Sequence, residues 1–80
     1  MCDTMADLKV AQSGTVRLIK AEGGLKQRFM DMGIVEGTKI KCVLRSPGGD
    51  PMAYRIRGAV LAIRNEDARK VLIKHESEAM

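Results

Sequence analysis

Apolar and polar residues alternate most regularly in the second half of the chain, on both sides of Gly58. Before this glycine the apolar positions are Met52, Tyr54 and Ile56, and after it the alternation resumes over residues 59–63. A period of two predicts strands with one dry and one wet face. An isolated glycine between two such runs is typical of a bulge or a sharp bend, so we expect the sheet to curl at Gly58.

A cluster of turn-forming residues precedes these strands, between Pro47 and Pro51. Gly48 and Gly49 readily take positive φ, and Asp50 can hydrogen-bond to its own backbone. The two prolines mark positions where a strand can begin or stop. This segment therefore predicts a hairpin tip.

Two further strands are predicted upstream from the same alternation. The first covers residues 14–20, where Val16 and Leu18 share one face. The second covers residues 38–44 and follows a turn at Gly37. Its apolar face is formed by Ile40, Cys42 and Leu44.

Between these two strands the apolar period changes to that of a helix. Leu25, Phe29 and Met32 fall at i, i+4 and i+7 and form one stripe. Gly33 follows at the position where helices commonly end in a left-handed residue. A helix of about nine residues is too short to be stable alone, so we expect its stripe to be packed against the sheet.

The remaining segments predict short elements at the ends of the chain. Residues 5–9 are compatible with one helical turn, and Asn65 is a good helix cap or turn starter. Val71 and Ile73 predict a final strand. Residues 75–80 form a polar end that we expect to be frayed.

The order of these elements is strand, helix, strand, strand, strand, turn, strand. Short strands with glycine bends in a chain of 80 residues predict a mainly β fold. We expect a small SH3-like barrel of about five strands, with one short helix between the first two strands. Residues 1–80 are expected to form one domain.

Composition indicates an aliphatic core. Hydrophobic residues make up 45% of the chain, but it has one Tyr, one Phe and no Trp, so methionine is expected to fill irregular gaps. Of its six methionines, we expect three in the core and three at mobile ends, and an adaptable binding surface is the alternative interpretation. The predicted core methionines are Met30, Met32 and Met52, and the predicted terminal ones are Met1, Met5 and Met80.

The net charge of +4 permits an acidic partner without identifying one. Arg55, Arg57 and Arg64 form a modest cluster on the expected solvent face of neighbouring strands, where a solvated surface and a binding patch are equally supported. No apolar run approaches the roughly 20 residues that a membrane span needs, and Asp3 and Asp7 stand where a signal peptide would be basic. A cytoplasmic protein is expected.

No pattern in the chain predicts catalysis or a cofactor. The only histidine, His75, lies in the expected tail, and no serine or cysteine has a recognisable base beside it. Cys2, Cys42 and His75 are more than 30 residues apart and lack the close pairs of zinc sites. We therefore expect no enzyme activity and no metal site, with Cys42 as a small core residue.

A nucleic-acid-binding barrel is an alternative, since positive charge and a small barrel suit that role. Single-strand binders, however, place aromatic rings on the barrel face to stack bases. Here Tyr54 falls in the core-facing set, and contacts of Arg55, Arg57 and Arg64 with phosphates alone would be weak and salt-sensitive. No nucleic acid partner is expected.

Taken together, the helix and turn residues resemble the FeoA family over about residues 5–74. The matching positions are the ten residues from Gly24 to Gly33, then Gly37 and Ile40, Gly49-Asp50-Pro51, Gly58, and the four residues from Leu61 to Arg64. The resemblance implies an SH3-like fold in a small cytoplasmic accessory protein of bacterial ferrous iron uptake. It implies a partner, the cytoplasmic nucleotide-binding part of the FeoB membrane transporter, and not a carrier of iron.

The resemblance extends to the C-terminal SH3-like domain of metal-dependent transcription repressors, although we expect no room here for their DNA-binding helices. A metal-responsive module, with Cys42 as a ligand for a transition metal ion, is thus a third hypothesis. The sequence leaves open the oligomeric state, homo-oligomers included. No direct insertion into a membrane is expected.

A partner is expected to contact the short helix and the facing hairpin tip, because a short helix that covers a barrel leaves apolar area at its margin. Arg28, Phe29 and Met30 are the first candidates, and Arg55 and Arg57 are the second. Core packing is the competing interpretation for Phe29, and a local ion pair with Asp31 or Glu22 is the competing interpretation for Arg28. A structural role in turns and bends is predicted for Gly33, Gly37, Gly49, Asp50, Pro51 and Gly58.

Overall fold

The computed structural model describes residues 3–75. Its strands are β1 (Asp3–Thr4), β2 (Ser13–Ile19), β3 (Lys39–Arg45), β4 (Met52–Ile56), β5 (Ala59–Ile63) and β6 (Val71–His75). Its helices are α1 (Gly23–Asp31) and α2 (Asn65–Ala68). Turns of 3-10 helix cover Met5–Asp7 and Pro47–Gly49.

The described strands pair antiparallel in one sheet, in the order β1-β6-β2-β3-β4-β5. The predicted mainly β class is confirmed, with α1 between β2 and β3. The sequence prediction missed β1, because two residues are too few to show an alternation. Residues 5–9, predicted as a helical turn, contain the 3-10 turn, in which the Thr4 N–H donates to Asp7 Oδ2 at 2.9 Å.

His75 is the last residue of β6, contrary to its predicted place in a frayed tail. It pairs with Gly14 of β2, and its Nε2 lies 2.7 Å from Asp3 Oδ2. The strand continues to His75 because β6 is flanked by both β1 and β2. The rest of the predicted tail, residues 76–80, lies outside the described residues, as do Met1 and Cys2.

The core is aliphatic except for two fully buried rings, those of Phe29 and Tyr54. Met5 is also fully buried, so its predicted place at a mobile end is wrong. The Tyr54 hydroxyl donates a hydrogen bond to the Met5 carbonyl oxygen at 3.3 Å. Met30, predicted in the core, is exposed because it lies off the buried stripe of α1. The largest fully buried aliphatic side chains are Met5, Leu8, Ile34, Ile40, Ile56, Ile73, Val16 and Val71.

Two register shifts reverse the expected alternation in β2 and β3. In β2 the shift falls between Val16 and Leu18, and in β3 it falls between Cys42 and Leu44. An extra residue in one strand turns every later side chain to the other face. Leu18 and Leu44, both predicted to face the core, are therefore exposed. Ile19, predicted to face solvent, packs against the core instead.

Gly58 lies at a turn, as predicted, but this turn is a hairpin connection and not a bulge. Ile56 pairs directly with Ala59, so Arg57 and Gly58 are the two central residues of a tight hairpin turn. Their φ values are 52° and 87°, and positive φ at both central residues is typical of one of the two common turns of two-residue hairpins. The irregularities of pairing lie in β2 and β3 instead.

The hairpin tip at residues 47–50 is bonded to the start of α2. The Asn65 N–H donates to Asp50 Oδ1, and Asn65 Nδ2 donates to the Gly49 carbonyl oxygen, both at 3.0 Å. Asn65 was predicted as a cap, but it is the first helical residue, and Asp50 accepts one of the N–H groups left free at the helix start. Asp50 thus caps α2 from a distance of 15 residues.

Replacing Asp50 with alanine is expected to lower the free energy of unfolding by about 1 kcal/mol, the usual cost of losing a capping side chain. Urea denaturation followed by circular dichroism measures this change. Asp50→Asn keeps an acceptor oxygen at the same position, so it should retain most of the stability. Equal losses in the two variants would show that the hydrogen bond to Asn65 is not the cause.

Candidate functional site

Helix α1 presents the first group of predicted contact residues, and the structure divides that group. Phe29 is 0% exposed, whereas Met30 is 49% exposed and Arg28 is exposed. Leu25 and Met32, the other members of the stripe, are packed against the core. Phe29 therefore belongs to the core, which corrects its prediction as a contact residue; Arg28 and Met30 stay predictions.

An apolar surface surrounds Met30. With Leu18, Ile19 and Val35 it lines a depression of about 360 Å³ between α1 and β2, edged by Lys26 and Glu36. We call Leu18, Met30 and Val35 the Met30 surface. Leu18 is part of it because the register shift in β2 turns this side chain outward. No sequence signal marked Leu18, since its alternation indicated the core.

Arg28 has no carboxylate oxygen within 4 Å among residues 3–75, so neither predicted local pair forms there. Asp31 instead accepts a hydrogen bond from Gln27 Nε2 at 3.0 Å. Arg28 lines a groove of about 460 Å³ between α1 and the β5–α2 connection, where Arg64 forms part of the opposite wall.

Arg55 and Arg57 line a different depression from Met30, although the Arg57 side chain packs against Gly33, just beyond α1. Together with Lys39 and Lys41 they line a depression of about 660 Å³, which we call the basic groove. Glu36 is the acidic residue in its lining. Arg64 is not part of it, although the sequence placed it in one cluster with Arg55 and Arg57. The β4–β5 register explains this, because it puts the residues after Ile63 at the opposite end of the hairpin from the Arg57 turn.

The residues predicted to shape turns do so. Gly33, Gly37, Gly49 and Gly58 have φ values from 81° to 90°, and the peptide bond between Asp50 and Pro51 is cis. At Gly33 this conformation ends α1: the Gly33 N–H donates to the Met30 carbonyl oxygen at 3.0 Å. The Ile34 N–H donates to the Phe29 carbonyl oxygen at 2.8 Å. This closure is typical of a glycine that ends a helix.

Within residues 3–75, no three His, Cys, Asp or Glu side chains lie close enough to hold a metal ion. Cys42 is buried, and burial raises the pKa of its thiol, which keeps it protonated and unreactive. Burial likewise raises the pKa of the Tyr54 phenol. Between Asp3 and His75, neither helix is long and apolar enough to cross a lipid bilayer.

The described part of the chain thus comprises one small sheet, two short helices and two exposed surfaces of different character. Its fold is shared by the zinc-complexed FeoA of Stenotrophomonas maltophilia, described as a prokaryotic SH3 domain protein. That structure superposes with a TM-score of 0.80 at 24% identity, covering 95% of this chain and 98% of the other. The class of protein is thus a small SH3-like domain.

The family follows from the sequence. Residues 4–75 match the FeoA domain. An FeoA-like protein from Clostridium acetobutylicum is 32% identical, with a TM-score of 0.88 over 99% of this chain and 92% of that one. The chain belongs to the FeoA family, which confirms the resemblance seen in its helix and turn residues.

A curated relative joins this domain to a transporter. It is the Fe(2+) transport protein A/Fe(2+) transporter FeoB fusion protein of Porphyromonas gingivalis (strain ATCC BAA-308 / W83), 29% identical over 70 residues. The match covers 88% of this chain but only 8% of the fusion protein. The chain therefore corresponds to a small part of that relative.

Proposed function

We propose that this protein is an accessory and regulatory protein of ferrous iron uptake, which acts by binding the cytoplasmic nucleotide-binding part of a FeoB-type transporter. The observation that carries the proposal is the fusion of an FeoA domain with the transporter FeoB in one relative. Fusion keeps two units at high effective concentration, which is useful when the separate units associate. On this proposal the protein works in the cytoplasm as a binding partner and not as a catalyst.

The Met30 surface is the site that we assign to this contact. Met30 and Leu18 are large apolar side chains that expose about half of their area, and they lie beside each other on α1 and β2. Methionine at a surface adapts its shape to a partner at little cost, because its side chain is unbranched and flexible. Lys26 and Glu36 at the edge supply the polar rim that is usual around an apolar contact.

Met30→Asp is expected to weaken binding of the purified FeoB cytoplasmic domain at least tenfold, as is typical when a central apolar contact is lost. Binding is measured by isothermal titration calorimetry. Val10→Asp is the matched control, because Val10 is also 49% exposed but lines a different depression, away from α1.

Circular dichroism and thermal unfolding should show both variants folded, since both side chains lie at the surface. Equal affinities of the Met30→Asp variant and the unaltered protein would remove α1 from the contact. If the unaltered protein itself does not bind the FeoB domain, the proposed function is wrong.

A further inference from the structure

We propose that the basic groove is a second contact site, which binds an extended acidic segment of a protein partner. This inference deepens the proposed function and rests on it, since the partner is the same protein that contacts the Met30 surface. The cations of the groove lie on β3, on β4 and in the turn after β4, and none of them lines the depression at Met30. Val35 and Glu36 line both depressions, so the two sites are neighbours.

The sheet register brings like charges together in the groove. Lys41 on β3 is the direct cross-strand partner of Arg55 on β4, and Lys39 and Arg57 flank that pair in the same depression. Side chains at directly opposed positions have Cβ atoms only about 4.5–5.5 Å apart, and like charges there are destabilising. The free protein therefore keeps two cations in an unfavourable position.

Within the described part of the chain, no carboxylate forms an ion pair with Lys41 or Arg55. Among residues 3–75, Lys41, Arg55 and Arg57 have no carboxylate oxygen within 4 Å. Glu36 lines the same depression but makes no ion pair with them. An arrangement that conflicts with local stability is characteristic of a functional site, where the compensation comes from the ligand. The ligand that compensates paired cations is an anion.

The absence of exposed rings favours a peptide over a nucleic acid. The chain has one Tyr, one Phe and no Trp, and both Tyr54 and Phe29 are fully buried. The groove thus lacks the aromatic platforms on which bases stack, and four cations are few for a contact made through phosphates alone. The carboxylates of a peptide can accept two parallel hydrogen bonds from an arginine guanidinium, as phosphate oxygens do.

One apolar side chain refines the chemistry of the segment. Val60 on β5 is the cross-strand partner of Arg55 and is exposed, so the row across the sheet runs Lys41, Arg55, Val60. A peptide lying across these strands would place carboxylates against the two cations and an apolar residue against Val60. The expected segment is therefore rich in Asp and Glu, with an apolar residue at one end.

The test measures fluorescence anisotropy of a labelled peptide, Glu-Asp-Glu-Asp-Glu-Leu, at low salt. Its amide analogue, Gln-Asn-Gln-Asn-Gln-Leu, and a single-stranded oligonucleotide serve as comparison ligands. Arg55→Thr should weaken binding of the acidic peptide about fivefold, and the combined Lys41→Thr/Arg55→Thr variant should weaken it further. Arg17→Thr is the control, since Arg17 is an exposed strand arginine outside the groove.

Thermal unfolding distinguishes a binding role of Arg55 from a merely structural one. Relief of the like-charge pair should raise the Tm of the Arg55→Thr variant by about 1–4 °C while its affinity falls. A lower Tm, equal binding of the amide analogue, or tighter binding of the oligonucleotide would each overturn the inference. A gain in peptide affinity on Glu76→Gln/Glu78→Gln would also overturn it, because the chain's own acidic residues would then be the occupant.

Binding of the FeoB cytoplasmic domain separates this inference from the proposed function. If the domain binds the unaltered protein and Met30→Asp weakens binding while Arg55→Thr does not, the basic groove is excluded and the proposed function stands. If the domain does not bind at all, the proposed function fails, and the partner assigned to the groove fails with it. Loss of affinity in both variants supports both.

Discussion

Phe29→Ala is expected to lower the free energy of unfolding by about 3–5 kcal/mol, the usual cost of removing a buried phenyl ring. Phe29 is fully buried and is the main apolar anchor of α1, a helix too short to persist without packing. A domain of this size has a total stability on the order of 4–12 kcal/mol. The variant should therefore be partly or wholly unfolded at 37 °C.

Urea denaturation with circular dichroism measures this loss, and the neighbouring residue supplies the control. Met30→Ala changes an exposed side chain of the same helix to a strong helix former, so its unfolding free energy should stay within about 0.5 kcal/mol of the unaltered protein. Comparing these two variants also distinguishes a core residue from a residue that contacts the partner. A Phe29→Ala variant of unchanged stability that lost FeoB binding would restore Phe29 as a contact residue.

Gly14→Val is expected to lower the free energy of unfolding by about 1–3 kcal/mol, the cost of overpacking. Strand propensity alone predicts the opposite sign, because valine favours strands and glycine does not. Gly14 is buried between β3 and β6, paired with Ile40 and His75. A Cβ atom there would lie 2.7 Å from Ile73 Cδ1 and 3.1 Å from the Lys74 carbonyl oxygen.

Ile73 is fully buried, so either its terminal methyl group must move against its core neighbours or the strands must shift. Gly24→Ala is the matched control, because a Cβ atom at Gly24 would meet nothing within 4 Å and the residue lies in α1. That change should raise the unfolding free energy by about 0.5–1 kcal/mol. Thermal unfolding of the two variants should thus shift in opposite directions, and stabilisation by Gly14→Val would contradict the packing described for β2 and β6.

Much of the fold was predictable because local periodicity reports which faces are buried. The alternation of Met52, Tyr54 and Ile56 correctly indicated an inward face, and the stripe of Leu25 and Phe29 correctly indicated a packed helix. Errors began where one residue was inserted into the pairing. The alternation of apolar and polar residues continues unbroken in the sequence, but a bulge reverses the face of the sheet on which each later side chain lies.

The candidate site was less predictable for the same reason. Met30 stands beside Phe29 in the sequence, and only the rotation of α1 on the sheet separates an exposed side chain from a buried one. Leu18 joins Met30 because β2 contains a register shift. The groove cations were visible singly, but the opposition of Lys41 and Arg55 depends on strand register.

By itself, the sequence determined the fold class, the position of α1, the turn glycines and the family, since these depend on patterns within a few residues or on their spacing. Only the tertiary structure decided that Gly58 shares a two-residue turn with Arg57, that Asp50 caps α2, that Met5 is buried and that a Cβ atom at Gly14 would crowd Ile73. Each of these features depends on contacts between residues that are distant in the sequence. Such contacts follow from the register of the whole sheet, which no short segment of the sequence specifies.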